Sequence, residues 1–152
     1  MRLALYQPDI AGNVGAILRL GACLGVGVDL IEPMGFPWGD RAQRRAAMDY
    51  AGQVAVARHA DWTAFRAQTG GRVVLATTTG AAPLPQVQFR ADDVLLLGSE
   101  GAGVPPEVHA QADLRVRIPM RPGLRSLNVA VAAALVLGEA LRQTGGWPAD
   151  GA

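Results

Sequence analysis

One junction near the carboxyl end constrains the fold of this chain more than any other stretch. Residues 113–118 alternate apolar and polar side chains as a β-strand does, and residues 129–137 are apolar on every face of a helix. Between them, residues 119–128 contain two prolines and a glycine, and Ser126 stands where we expect the N-cap of the closing helix. A stiff loop that ends at a helix N-terminus can present backbone N–H groups to a ligand. The sequence therefore predicts a ligand-binding loop at this junction.

The rest of the chain alternates short apolar strands with helices. We expect strands at residues 3–6, 26–31, 54–57, 73–77, 94–98 and 113–118, and helices at about residues 14–24, 41–48, 105–110 and 126–143, with a short helix capped by Asp61. This alternation predicts a single α/β domain over residues 1–152, with a mostly parallel sheet, helices on both faces and a loosely held tail from about residue 145. Ligands of such sheets bind beyond the carboxyl ends of strands, so the site is expected near Thr77, Gly98 and Ile118.

Composition limits the location and the partners of the protein. With 50% hydrophobic residues, 18% charged residues and a net charge of +1, the chain has the balance of a soluble globular protein and no global signal for nucleic acid. All its basic residues are arginine. Either genomic base composition causes this bias, or arginine is used because it suits RNA binding. Cys23 is the single cysteine, so an intrachain disulfide is excluded, and its apolar neighbours predict a buried packing residue. With no secretory signal and no apolar run long enough to cross a membrane, we expect a cytoplasmic protein.

Two glycine-rich segments follow predicted strands. Residues 98–103 (Gly-Ser-Glu-Gly-Ala-Gly) let the backbone approach a ligand, or only let it turn sharply, and Glu100 within them either holds a polar ligand group or lies in solvent. Residues 12–15 (Gly-Asn-Val-Gly) suggest a dinucleotide-binding loop, but the required G-x-G-x-x-G is incomplete. Taken alone, Asn13 is also compatible with a helix N-cap, and Arg19 is also compatible with a solvated helix residue.

A basic cluster stands beside an aromatic residue in the sequence: Trp38, Arg41, Arg44 and Arg45. Such a cluster holds RNA phosphates and bases, or it forms the solvated face of a helix. His59 and His109 lie far apart, with no cysteine or carboxylate at ligand spacing, so we predict no metal site. No Ser/His/Asp or Cys/His combination indicates covalent catalysis.

Three segments, taken in order, resemble the motifs of the SPOUT superfamily of RNA methyltransferases, in its SpoU-type branch that methylates ribose 2′-oxygens. The first is Asn13-Val14-Gly15 with Arg19, the second covers residues 97–103, and the third covers residues 118–128. The resemblance spans almost the whole chain, and three motifs in the right order and spacing are far more specific than any one of them.

A second set of residues narrows the resemblance. Residues 31–40 (Ile-Glu-Pro-Met-Gly-Phe-Pro-Trp-Gly-Asp), then Arg44-Arg45 and Asp49-Tyr50, are similar to the tRNA (cytidine/uridine-34) 2′-O-methyltransferases. At residues 99–102 that family usually carries Pro-Glu-Thr-Arg, whereas this chain has Ser-Glu-Gly-Ala. The resemblance implies a homodimer with a deep trefoil knot in its C-terminal part. It also implies an enzyme that uses S-adenosylmethionine to methylate nucleotide 34, a cytidine or modified uridine, in the anticodon region of tRNA.

The resemblance further implies roles for individual residues. The residues implied in catalysis are Asn13, Arg19, Ser126 and Asn128. The cofactor is expected to lie against three strand-end loops, at Thr77, Gly98, Glu100, Gly103, Ile118, Met120, Ser126 and Leu127. The residues expected to hold tRNA are Trp38, Arg41, Arg44 and Arg45.

Arg19 has two alternative roles under this interpretation. Guanidinium groups keep their proton in proteins. To act as a general base, Arg19 would need surroundings that strongly destabilise its protonated form. We therefore interpret Arg19 as a clamp on substrate phosphate that orients the ribose hydroxyl, with a general base as the alternative. Two other functions are compatible with the sequence: a non-catalytic RNA-binding dimer that keeps the fold, and a nucleotide-dependent oxidoreductase.

Overall fold

The structure, a computed structural model, describes residues 1–149. Its strands are β1 (Arg2–Tyr6), β2 (Gly27–Ile31), β3 (Val56–His59), β4 (Val73–Ala76), β5 (Ala82–Pro83), β6 (Val94–Leu97) and β7 (Leu114–Arg117). Its α-helices are α1 (Ala11–Leu24), α2 (Arg41–Ala47), α3 (Trp62–Gln68), α4 (Pro106–Gln111) and α5 (Val129–Thr144), and 3-10 helices cover Met48–Gln53 and Leu84–Gln86. Each predicted strand is present, and β5 is an additional strand that lies between the predicted strands at residues 73–77 and 94–98.

The strands form one parallel sheet with helices on both faces. Their order is β3-β2-β1-β6-β4-β7-β5, and every neighbouring pair is parallel. Successive side chains of a strand point to opposite faces, so each strand supplies two apolar cores. Leu3 and Leu95 belong to the core that contains α1 and α5, whereas Ala4 and Leu96 belong to the core that contains Phe65 of α3. The predicted α/β architecture is therefore confirmed, and the carboxyl ends of all strands meet at one edge.

In the C-terminal half of the chain, the order of the strands in the sheet differs from their order in the sequence. β6 lies between β1 and β4, β7 lies on the far side of β4, and α5 returns to pack against α1 and β6. The loop between β7 and α5 therefore lies beside the loops that follow β4 and β6. The trefoil knot that the resemblance implies for this part of the chain stays a prediction.

Gly15 sets the distance between α1 and α2. A Cβ atom at Gly15 would lie 2.2 Å from the carbonyl oxygen of Gln43 and 2.7 Å from the Cβ atom of Ala46. Because real Cβ atoms do not make such short contacts, only glycine allows the two helices to pack this closely. The second glycine of the Gly-x-x-Gly segment therefore serves helix packing rather than phosphate binding.

The structure corrects two local predictions on α1. The helix begins at Ala11, with Ile10 as its N-cap, so Asn13 lies in the first turn and not at a cap position. Cys23, which was expected to be buried, is exposed. The reason is helical periodicity, because the buried stripe of α1 runs through other positions: Val14, Ile17, Leu18 and Gly21.

The longest helix, α5, ends in a glycine turn. Gly145 adopts a left-handed conformation, and the N–H of Gly146 donates to the carbonyl oxygen of Leu141 at 3.0 Å. The ring of Trp147 then lies beside Gly138 of α5. The first residues of the predicted tail thus contact α5, and residues 150–152 lie outside the described residues. Across residues 1–149, α5 included, no helix has both the length and the apolar run needed to cross a membrane.

Candidate functional site

A cavity opens at the carboxyl edge of the sheet, beyond β6, β4 and β7. Its volume is about 600 Å³, and its walls come from the loops after these three strands together with the start of α1. Every residue predicted to hold the cofactor lines it: Thr77, Gly98, Glu100, Gly103, Ile118, Met120, Ser126 and Leu127. Asn13 and Asn128, two of the predicted catalytic residues, line it as well. The fold thus brings parts of all three motifs to one place.

A chain of side-chain hydrogen bonds joins the three motifs at this cavity. Asn128 Nδ2 donates to Asn13 Oδ1 at 2.9 Å, and Asn13 Nδ2 donates to Glu100 Oε1 at 3.0 Å. The other oxygen of that carboxylate, Oε2, accepts from the backbone N–H of Asp9 at 2.7 Å. An asparagine side chain carries both a donor and an acceptor, which suits Asn13 to the middle of the chain. Glu100 therefore attaches its loop to α1 and to the loop before it.

Asn128 also caps the closing helix. α5 begins at Val129, and Asn128 Oδ1 accepts from the backbone N–H groups of Ala130 at 2.9 Å and Val131 at 3.3 Å. The N-cap predicted at Ser126 is therefore wrong, because residues 125–128 have no helical structure and Ser126 stays in the loop. Asn128 uses its oxygen for the helix and its nitrogen for the cavity.

Backbone hydrogen bonds close the loop at residues 98–103. Ser99 and Gly103 exchange N–H···O bonds of 2.9 Å in both directions. A Cβ atom on Gly98 would lie 2.6 to 2.9 Å from backbone atoms of Gly103, and Gly103 itself has a φ of +66°. Both glycines are thus required by the sharp turn of this loop, and the approach of its backbone to a ligand stays a prediction.

Several residues of the cavity were not assigned from the sequence. Thr78, Thr79, His109 and Arg125 line it in addition to the predicted set. Arg125 lies inside the third motif, so its position in the loop was the available signal. His109 carried no signal in the sequence, because it is an isolated histidine outside the three motifs. Within residues 1–149 no three His, Cys, Asp or Glu side chains are grouped so as to hold a metal ion.

Arg19 lies on α1 but is not among the residues that line the cavity. Its side chain is exposed, and its guanidinium lies over the ring of Tyr50 at 5.6 Å from the ring centre. Six residues along an α-helix advance about 9 Å and turn about 600°, so Arg19 points roughly 120° away from Asn13. A single chain therefore does not bring Arg19 together with the other predicted catalytic residues.

Arginine and aromatic side chains cover the neighbouring part of the same edge, beyond β2 and β3. We call this surface the basic face, and it comprises Trp38, Arg41, Arg44, Arg45 and Arg58. Arg58, which was not predicted, lies over Trp38 at 5.3 Å from a ring centre, and its Nε donates to Glu32 Oε1 at 2.8 Å. Trp38 is 41% exposed, and the three arginines of α2 are exposed as well. Arg58 and Trp38 thus contact each other, and the basic face as a whole is open to solvent.

The sequence matches the SpoU rRNA Methylase family over residues 1–138. A protein of Beijerinckia indica subsp. indica named tRNA (cytidine(34)-2'-O)-methyltransferase is 62% identical over 146 residues, which cover 94% of this chain and 91% of that protein. The Escherichia coli (strain K12) protein of the same name is 40% identical over 148 residues, which cover 95% of this chain and 94% of that protein.

Solved structures give the same result. One, described as "Structural insights into the 2-OH methylation of C/U34 on tRNA", has a TM-score of 0.89 at 40% identity and covers 93% of this chain and 94% of its own. An rRNA methyltransferase from Sinorhizobium meliloti with AdoMet (S-adenosylmethionine) bound has a TM-score of 0.84 at 30% identity, and covers 93% of this chain and 55% of its own. Sequence, fold and the arrangement of the three motifs agree, and this chain belongs to the SpoU rRNA Methylase family.

Proposed function

We propose that this enzyme transfers a methyl group from S-adenosylmethionine to the ribose 2′-oxygen of nucleotide 34, in the anticodon of tRNA. The observation that carries the proposal is the hydrogen-bonded chain Glu100–Asn13–Asn128, which joins the three motifs of the family at one cavity. The names of the relatives from Beijerinckia indica and Escherichia coli support both the chemistry and the nucleotide.

The residues of the cavity fit S-adenosylmethionine. A volume of about 600 Å³ is in the range of cofactor pockets, which is roughly 300 to 1,000 Å³. Apolar side chains such as Leu97 and Ile118 line it beside the hydroxyl groups of Thr77 and Ser126 and the backbone of three loops. When bound, S-adenosylmethionine supplies an activated methyl group on a sulfonium. The task of the protein is then to align the ribose oxygen and to provide for removal of its proton.

We assign the polar residues of the site to two tasks. Asn13 and Asn128 hold the third loop against α1, so the cofactor loops keep one geometry. Ser126 lies in the exposed part of that loop, on the cavity side, where it is accessible to a ribose. Arg19 remains the proposed catalytic residue, as a clamp whose planar fork holds a phosphate and orients the hydroxyl.

We infer that the enzyme is a homodimer and that Arg19 serves the cavity of the partner subunit. α5 leaves two large apolar side chains exposed one helical turn apart, Val131 at 49% and Leu135 at 46%. The resemblance implies that a second copy of the chain covers these two side chains. Because Arg19 points away from its own cavity, a subunit packed beside α1 and α5 gives it access to a site.

The basic face supplies the contact with tRNA in this proposal. It lies at the same edge as the cavity, since all strands of the sheet are parallel. The arginines of α2 are placed to neutralise phosphates, and Trp38 offers a ring on which an unpaired anticodon base can stack. A tRNA substrate also agrees with a cytoplasmic location, where Cys23 stays reduced.

Methyl transfer to defined tRNA tests the proposed function. Unfractionated tRNA is incubated with the enzyme and labelled S-adenosylmethionine, the modified nucleotide is mapped, and the substrate is then remade with a 2′-deoxyribose at nucleotide 34. We expect label at nucleotide 34 alone and none in the deoxy substrate. Label at another nucleotide, or on a base, would contradict the proposal.

Mixed dimers test the position of Arg19. We expect Arg19→Ala to fold and to bind S-adenosylmethionine normally, yet to lose most turnover, and Arg19→Lys to recover little because an ammonium lacks the planar fork. Arg19→Ala is then mixed with a variant in which Asn13 and Asn128 are both alanine. If each cavity uses Arg19 of the other subunit, a mixed dimer contains one intact site. About a quarter of wild-type activity is then expected if subunits share sites. No recovery in the mixture would place Arg19 at its own cavity, and normal turnover of Arg19→Ala would remove it from the mechanism.

A further inference from the structure

His109 connects one wall of the cavity to the body of the fold. It lies in α4, and its Nε2 is 3.3 Å from the carbonyl oxygen of Thr79. Thr79 belongs to the loop after β4, which lines the cavity at residues 77–79. The imidazole also covers the turn of this loop, since a Cβ atom on Gly80 would lie 3.8 Å from His109 Cε1.

The loop has little polar support from its own side chains. Thr77 Oγ1 lies 3.4 Å from both the backbone nitrogen and the Oγ1 atom of Thr79, at the long end of the hydrogen-bond range. The backbone N–H of Thr77 donates to Val116 of β7 at 2.9 Å, which holds the loop only at its beginning. Pairing of β5 with β7 holds the loop at its end, so the contact from His109 supports its middle, at Thr79.

Arg115 of β7 orients the imidazole and determines where its proton lies. Arg115 Nε is 3.2 Å from His109 Nδ1 and 3.0 Å from the carbonyl oxygen of His109. A guanidinium donates and cannot accept, so Nδ1 is the acceptor and the proton of the neutral ring is on Nε2. Nε2–H therefore donates to the carbonyl oxygen of Thr79, and Arg115, His109 and Thr79 form one directed series of hydrogen bonds.

We propose that His109 is a positioning residue for the cofactor. Through its bond to Thr79 it holds the wall at residues 77–79 in the conformation that receives S-adenosylmethionine, and Arg115 keeps its ring in the required orientation and tautomer. The proposal rests on the binding of the cofactor in this cavity, and it extends the site to a helix that contains none of the family's three motifs.

Two substitutions of similar size separate hydrogen bonding from packing. Glutamine places its Nε2 donor the same number of bonds from Cα as histidine does, and its Oε1 can accept from Arg115, whereas leucine fills the space without polar atoms. We expect His109→Leu to weaken S-adenosylmethionine binding about three- to tenfold, measured by calorimetry without tRNA, and His109→Gln to stay within about twofold of wild type. In turnover assays, KM for S-adenosylmethionine should rise in His109→Leu, with KM for tRNA and kcat nearly unchanged.

Thermal melting of each variant accompanies these measurements. If His109→Leu does not give a native melting transition, Arg115→Met replaces it, since loss of the donor to Nδ1 should weaken cofactor binding in the same way. Unchanged cofactor affinity in the leucine variant would overturn the proposal. Equal weakening by leucine and glutamine would overturn it too, because packing alone would then explain the effect.

The outcome is independent of the assignment of the RNA substrate. Cofactor affinity is measured in the absence of RNA, so an error in nucleotide 34 would leave the calorimetric comparison intact. Conversely, failure of the His109 variants to differ would leave the methylation of tRNA untouched.

Discussion

The two parts of the carboxyl edge are built in different ways. Around the cavity, side chains from distant parts of the sequence bind one another, as Asn128 binds Asn13 and Asn13 binds Glu100. On the basic face, Arg58 lies over Trp38, and the three arginines of α2 are exposed to solvent. The polar side chains around the cavity are joined to one another, whereas those of the basic face are open to solvent.

This difference predicts how each part responds to substitution. A partly buried polar group that loses its hydrogen-bond partner costs more than the bond contributed, so the cavity should respond sharply to single changes. Exposed arginines attract a polyanion through their summed charge, so the basic face should respond gradually and depend on salt.

Asn128→Asp should have the largest effect, and it should fall on the cavity. The carboxylate keeps an oxygen to cap α5 but loses the N–H that donates to Asn13 Oδ1, so two acceptors then face each other. We expect a fall of about 2 kcal/mol in cofactor binding, which is roughly thirtyfold in Kd by calorimetry.

Asn128→Ala is the matched comparison, because it removes the cap as well. It should lower the free energy of unfolding by about 1 kcal/mol in denaturant titrations, whereas Asn128→Asp, which keeps the cap, should lower that quantity less. Normal cofactor affinity in Asn128→Asp would show that the hydrogen-bonded chain does not shape the cavity.

Reversal of charge on the basic face should have an intermediate effect. We expect Arg44→Glu with Arg45→Glu to raise KM for tRNA by about tenfold or more and to flatten its salt dependence, because lost phosphate contacts release fewer counterions. Cofactor affinity should not change. Arg90→Glu is the control for Arg44→Glu alone, since each reverses one charge and Arg90 is an exposed arginine just before β6, at the opposite edge of the sheet. Equal losses in the two proteins would mean that net charge, and not the basic face, attracts tRNA.

The smallest effect is expected at the carboxyl end of α5, away from both parts of the edge. Hydrogen bonds from Arg142, and to a smaller extent from Gln143, lower the pKa of the Glu139 carboxyl from 4.5 to about 2. A lowered pKa in the folded state stabilises it above about pH 4.5, and this contribution is lost as the pH falls toward 2. Glu139→Gln should therefore reduce the acid dependence of Tm in this range and shift Tm at neutral pH by no more than a few degrees. A larger neutral shift would contradict this assignment.

Much of the cavity follows from the sequence, because its residues stand where apolar runs stop. Thr77, Gly98 and Ile118 each follow a strand, and a parallel sheet carries those ends to one edge. The start of α3 is equally local, since Asp61 Oδ1 accepts from the N–H of Ala64 as an N-cap should.

The other features depend on contacts between distant segments. Ser126 and Asn128 are both good capping residues, and the bond from Asn128 to Asn13, 115 residues away, is formed only with Asn128 at the start of the helix. The purpose of Gly15 is visible only with α2 packed against it. Arg58 belongs to no pattern, because its partners Trp38 and Glu32 come from the loop that follows another strand, β2.

The double use of Asn128 has a consequence for the time at which the enzyme becomes able to act. Proteins are made from the amino end, so the seven strands and the first four helices leave the ribosome before α5. Until residue 128 has emerged, α5 has no cap and Asn13 has no donor. A nascent chain can therefore assemble most of its sheet while the cavity is still unformed. The polypeptide is unable to hold its cofactor until residue 128 has left the ribosome.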